Sequence, residues 1–293
     1  MSGETAIHLR SGRLTASVAA QGAELRTLTV AGQELLWAPE TALWDGTSQV
    51  LFPVVGRVID DVVRVDGRAY PMPAHGFAPT SVFSLASCGE DFCILELRSS
   101  HATWIHYPYD FLLRLEYRLS NEGLSIHVKI HNLGKTVMPA SFGLHPGFRW
   151  PLLPDVPKER HLLSFDESGP IACTRPVDRL VGPDRQELVL VRQALNLAPS
   201  LFEKSGIALL ELQKRSLRYH TDDGRAGIRL AFPEMDRVML WSRPSGDFLC
   251  IEPLLGHADP VGFSGELMEK PGMAHVLPGE NLALSVTITP EFP

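Results

Sequence analysis

Four polar islands in otherwise apolar sequence carry the groups that could do chemistry. His145 stands in Ser141-Phe142-Gly143-Leu144-His145-Pro146-Gly147-Phe148-Arg149-Trp150, a lone imidazole among small residues and proline with two aromatics behind it. The other three are Gly56-Arg57, His75-Gly76 and Ile251-Glu252-Pro253. Together they offer a candidate acid, a candidate base and two candidate anchors for a polar molecule. Glu252 is the most demanding, because Phe248-Leu249-Cys250-Ile251-Glu252-Pro253-Leu254-Leu255 reads as a buried run. A buried carboxylate needs a hydrogen-bond partner, a cation or a ligand; pairing with Arg57 is one structural way to meet that need.

The remaining histidines separate by context. His75 follows Pro71-Met72-Pro73-Ala74, where prolines stiffen the approach, and Gly76 removes bulk beside the ring. His127 and His131 fall on the polar face of an alternating strand, which solvent explains, and His101 and His106 flank a strand start as structural or exposed residues. Most loop residues do not react, so local sequence alone assigns neither His75 nor His145 a role.

The elements that must position these groups read as strands. Phe111, Leu113, Leu115, Tyr117 and Leu119 alternate with polar or outward residues, and Leu124, Ile126, Val128 and Ile130 repeat the period of two after Asn121-Glu122-Gly123. That spacing predicts a hairpin. Leu282, Leu284, Val286 and Ile288 make a third such strand, and Arg237 to Trp241 and Phe248 to Ile251 flank a Pro244-Ser245-Gly246-Asp247 turn. Many short strands at close spacing predict an all-β fold, a large antiparallel β-sandwich. Helical signals are few, and the best is Ser200-Leu201-Phe202-Glu203, whose capping-box spacing could start a single turn. Pro151 to Val156 and Pro176 to Pro183 read as exposed loops, and neither divides regions of different composition, so residues 1–293 are expected to form a single domain.

Composition narrows the function classes. The chain of 293 residues is 44% hydrophobic and carries a net charge of −7, which gives no general attraction for nucleic acid or anionic membrane. No apolar run approaches the roughly 18 residues of a membrane span, and the start of the chain has no basic segment of a secretory signal. Cys88, Cys93, Cys173 and Cys250 form no CxxC or Cys/His ligand pattern and read as small buried side chains, reduced in the cytoplasm.

Read in order, the motifs resemble the aldose 1-epimerase (galactose mutarotase) family, and its LacX-like branch in particular. They are Gln21-Gly22-Ala23-Glu24-Leu25 with Leu36-Trp37, Leu51-Phe52-Pro53-Val54-Val55-Gly56-Arg57, Met72-Pro73-Ala74-His75-Gly76-Phe77-Ala78, Tyr107-Pro108-Tyr109-Asp110-Phe111, Phe142 to Phe148, Ile251-Glu252-Pro253 and Pro278-Gly279-Glu280. The resemblance implies a β-supersandwich whose concave face binds an aldose, with His145 as acid, Glu252 as base, and Arg57 and His75 as sugar-binding partners. Ring opening of a pyranose requires such a pair, since one proton leaves the anomeric hydroxyl while another arrives at the ring oxygen. On this reading ionised Glu252 accepts and protonated His145 donates, Phe148, Trp150 or Trp241 offers an apolar face to the sugar, and no metal or organic cofactor takes part. The chain departs from the family at one place. An aspartate that grips sugar hydroxyls is expected near Leu201 to Ala208, where Lys204 and Ser205 stand instead; Asp236 is a candidate substitute, and the lysine would suit a phosphorylated or acidic sugar. Two other readings remain: a sugar-binding protein without turnover, and a His/Glu metal site in a cupin-like barrel, which the lack of a close His-x-His spacing disfavours.

Overall fold

The computed structural model describes residues 6–167 and 169–293. The alternating stretches form strands as their period demands, with every second residue of Phe111–Leu119 and Leu124–Asn132 buried. These two pair antiparallel in one unbroken register from Phe111 opposite Asn132 to Leu119 opposite Leu124. Asn281–Glu291 lies along the second of them and Gly227–Ala231 beyond it. They are the centre of a nine-stranded antiparallel sheet.

A second, seven-stranded antiparallel sheet runs in the order Gln186–Leu188, Ile171–Thr174, Ile207–Leu209, Arg237–Trp241, Phe248–Leu255, Phe142–Arg149 and Ser48–Leu51. A four-stranded sheet opens the described chain and two short strand pairs complete it. The principal apolar cluster draws on both large sheets: Leu113, Leu115 and Tyr117 from one, Leu144, Phe148, Val238, Leu240 and Ile251 from the other. This is the large antiparallel sandwich that the periodicity predicts. Among the described residues, the opposite face of the seven-stranded sheet carries two small apolar groups, around Cys250 and around Leu254.

Two local expectations about turns and loops need correction. The Ser200–Glu203 box does not form: a single 3-10 turn spans Pro199–Phe202 with no side-chain cap, because Pro199 takes the first turn position, where its missing N–H costs nothing. A capping box does close the four-residue helix His101–Trp104, where Thr103 N–H donates to Ser100 Oγ and Ser100 N–H to Thr103 Oγ1, so His101 belongs to a helical turn. The 151–156 loop is tied down, with Leu152 and Val156 buried and the Leu152 N–H donating to His161 Nε2 at 3.0 Å. Of the cysteines, Cys93, Cys173 and Cys250 are buried as expected, while Cys88 is exposed; all four are free. Among the described residues, no helix is long and apolar enough to cross a membrane.

Candidate active site

The polar groups meet on the outer face of the seven-stranded sheet because of register. Between strands Phe142–Arg149 and Phe248–Leu255, Gly143 lies opposite Leu254 and Gly147 opposite Cys250. The same register sets His145 opposite Glu252, and their side chains lie on one face with Nε2 and Oε1 3.3 Å apart. Pro146 and Pro253 supply no N–H to the ladder there. The row extends to both sides: Met239 is opposite Glu252, Ala208 opposite Met239, Thr174 opposite Ala208, and Gln49 opposite His145. All six residues floor one cleft of about 610 Å³.

Small residues make that floor accessible. Gly143 and Gly147 flank His145 on its own face, and a Cβ at either would collide with Leu254 or with the Trp44 ring. Gly147 thus admits Trp44, whose ring centroid stands 4.8 Å from that of His145 at 30°, while Trp241 meets the imidazole edge-on at 5.8 Å. The outer neighbour of the histidine strand is anchored by Glu24, a residue of the first motif, whose Oε1 accepts from the N–H groups of Thr47 (2.7 Å) and Ser48 (2.9 Å).

His75 reaches the cleft through a strained backbone. Its φ of 68° is left-handed, costly for a side chain with a Cβ. The ring is fixed by reciprocal bonds with Gly56: the His75 N–H donates to Gly56 O at 2.8 Å, and the Gly56 N–H donates to Nδ1 at 3.3 Å. An acceptor at Nδ1 puts the proton of the neutral ring on Nε2. Arg57 lines the same wall, its Nε 3.3 Å from Asp61 Oδ1.

A buried ion pair ties this wall together. Lys270 Nζ donates to Asp259 Oδ1 and to His257 O, both at 2.7 Å, and Asp259 Oδ2 accepts the Ile59 N–H at 2.9 Å. The Asp259 backbone gives its N–H to Arg57 O and takes the N–H of Val181. One satisfied pair therefore couples the Arg57 loop, the end of the glutamate strand and the 176–183 loop, which is exposed as expected and forms a cleft wall.

Burial sets the protonation of the pair. It pushes His145 down to about 3, with His75 adding to the effect, and His75 down to about 4, with Arg179 adding. It holds Glu252 well above the usual carboxylate range. Low dielectric disfavours both ions, so burial favours the neutral imidazole beside the protonated carboxyl over the ion pair. Burial thus works against the distribution expected from sequence, ionised glutamate beside protonated histidine, which carries the same number of protons. Cys250 also lies within 4.8 Å of both groups, the one cluster of metal-ligating type among the described residues. Burial raises the pKa of its thiol and of Glu252, and both would have to lose a proton to ligate a metal.

Of the residues singled out by sequence, His145, Glu252, Arg57, His75 and Trp241 all line the cleft. Phe148 does not: three residues from His145, it points to the opposite face of the strand and is fully buried in the main core. Trp150 is likewise core, its Nε1–H donating to Lys158 O. Arg57 pairs with Asp61 rather than Glu252, and Asp236 is engaged by Arg237 outside the cleft lining. Sequence reading missed Trp44, Gln49, Arg179, Arg237 and Arg243, which enter through cross-strand register or from loops and carry no local signal.

Two large antiparallel sheets, with a buried His–Glu pair on the outer face of one, define a large β-sandwich with a polar cleft, and comparison places that fold in a family. The aldose 1-epimerase family model matches residues 5–259, and the chain belongs to that family. Among its relatives is the protein LacX of Lactococcus lactis subsp. lactis, whose chromosomal and plasmid forms are each 28% identical over 294 residues, covering 97% of this chain and 98% of theirs. A galactose mutarotase related enzyme from Lactobacillus acidophilus superposes with a TM-score of 0.93 at 24% identity, over 98% of this chain and 97% of that one. A galactose mutarotase-like protein from Lactobacillus casei gives 0.92 at 22%, over 98% and 100%. At these identities the two structures establish the shared galactose mutarotase-like fold.

Proposed function

We propose that the protein is an aldose 1-epimerase, an isomerase that interconverts the α and β anomers of an aldose by opening and closing its ring. The observation that carries the reading is the cross-strand pair His145–Glu252, 3.3 Å apart and buried on the floor of a cleft of sugar size. The pair holds one proton. With it on His145, Glu252 takes the proton of O1 while the imidazole gives its own to the ring oxygen; the proton then resides on Glu252, the distribution that burial favours. Rotation about C1–C2 presents the other face of the aldehyde, and the reverse transfers close the ring. Each positioned group is worth about 10²- to 10⁴-fold. His75 Nε2–H and Arg57 hold sugar oxygens, and the faces of Trp44 and Trp241 cover its C–H groups. The chemistry calls for no cofactor. Free, sparse cysteines fit a reducing compartment, and we place the protein in the cytoplasm.

Exchange NMR or polarimetry on freshly dissolved α-glucose and α-galactose tests this. Wild type accelerates anomerisation, and His145→Ala and Glu252→Gln lower kcat by about 10²- to 10⁴-fold with a smaller change in KM. No acceleration across a broad sugar panel would defeat the enzymatic reading; sugar binding without acceleration would make the protein a carbohydrate binder of the same fold.

A further inference from the structure

The cleft is cationic in a chain of net charge −7. Arg57, Arg179, Lys204, Arg237 and Arg243 line it. Two are matched internally, Arg57 by Asp61 and Arg237 by Asp236. Arg179, Lys204 and Arg243 have no carboxylate within ion-pair distance among the described residues. The carboxylates lining the same cleft are Asp178, exposed, and Glu252, which burial keeps toward its neutral form. Such a surface attracts anions, and low-dielectric walls focus its field.

Two of the unmatched cations leave the fold together. Strands Ile207–Leu209 and Arg237–Trp241 run antiparallel with Ile207 opposite Leu240, so the residues entering the first and leaving the second emerge at one end of the pair. Lys204 and Arg243 are those residues. The backbone around Lys204 is fixed by Arg175, whose Nη1 donates to Leu201 O (3.0 Å) and Ser205 O (3.1 Å). Arg243 stands over the Trp241 ring, 5.8 Å from its centroid, and Trp241 in turn meets the His145 ring. A cationic end therefore lies one aromatic ring away from the acid/base pair.

We infer that the substrate is an aldose bearing a phosphate monoester on a hydroxyl other than O1, with the phosphate held by Lys204 and Arg243. This rests on the mutarotase reading above. O1 must be unsubstituted to give up its proton, so an ester at that position would block the reaction, whereas one elsewhere leaves the anomeric carbon at His145 and Glu252. Phosphate fits better than carboxylate because its dianion engages two cations at once, and the guanidinium fork of Arg243 matches it bidentately. Arg179, on the His75 side, adds to the field that draws the dianion in.

The test compares glucose and galactose, their 6-phosphates, and glucuronate and galacturonate, with kcat/KM from exchange NMR and affinity from titration calorimetry. The 6-phosphates are expected to exceed the free hexoses at least about tenfold in kcat/KM, with a preference that shrinks at higher salt. In K204A and R243A, exposed positions whose folding thermal melts check, the ratio of phosphate to free sugar falls by about tenfold or more, and Arg243→Lys restores part of it. The inference is overturned if the phosphates do no better than the free hexoses, if uronates are preferred, or if the ratio survives both variants. Should no sugar be turned over, the mutarotase reading fails and titration decides separately: glucose 6-phosphate binding tighter than glucose and weakened by K204A supports the phosphate site, and equal binding ends it.

Discussion

His145 and Glu252 are two weak signals that become one strong one. Each alone has an unfavourable burial to explain, and each eases the other's, since one proton can be shared across the 3.3 Å between Nε2 and Oε1. That coupling predicts an unusual pH dependence. Activity needs one proton on the pair. On the acid side it falls when His145 takes up a second proton, and burial has moved that event from the ordinary 6.5 to about 3, with His75 near 4. On the basic side it falls when Glu252 loses the shared proton, an event burial moves upward. With a free hexose as substrate, kcat/KM is therefore expected to stay level from about pH 5 to about pH 7. An acid limb centred near the reference histidine value of about 6.5 would show that the imidazole is not held neutral.

At the scale of the element, the site is a product of strand parity. Alternation sends Gly143, His145 and Gly147 to the outer face of the sheet and Leu144 and Phe148 to the core, and the facing strand sends Cys250, Glu252 and Leu254 to the same outer face. Gly147 is the position where a methyl group decides most. A Cβ there would press on the Trp44 ring, so Gly147→Ala is expected to cost about 1–3 kcal/mol in urea unfolding and to lower kcat by displacing Trp44 from His145. Unchanged stability together with an unchanged rate would remove Trp44 from the account. Parity also explains the error over Phe148: sequence shows an aromatic near a histidine, but an odd offset of three puts it on the other face.

At the scale of the whole molecule, one apolar cluster links the opening four-stranded sheet, through Leu9, Leu14 and Leu25, with both large sheets. We propose that residues 1–293 behave as a single domain. Calorimetry is expected to give one unfolding transition with equal van't Hoff and calorimetric enthalpies, and two resolved transitions would divide the chain. The charge distribution belongs to this scale too: a net negative protein presents a cationic cleft, a contrast assembled from the 56–61 and 176–183 loops and the strand ends at Lys204 and Arg243.

The sequence by itself determined the all-β class and the hairpin with its turn, and it singled out five residues that line the cleft, His145, Glu252, Arg57, His75 and Trp241. The physical reason is that alternation, turn residues and a charge in an apolar run are local properties with local causes. Only the tertiary structure decided which groups meet. The register between strands more than a hundred residues apart sets His145 against Glu252, the same parity sends Phe148 inward, and the buried Lys270–Asp259 pair gathers three distant segments into one wall. Trp44, Arg179, Arg237 and Arg243 have no local mark at all, because what qualifies them is the neighbour they fold against. The protonation of the pair belongs there as well, since it depends on how much water the folded sheet excludes.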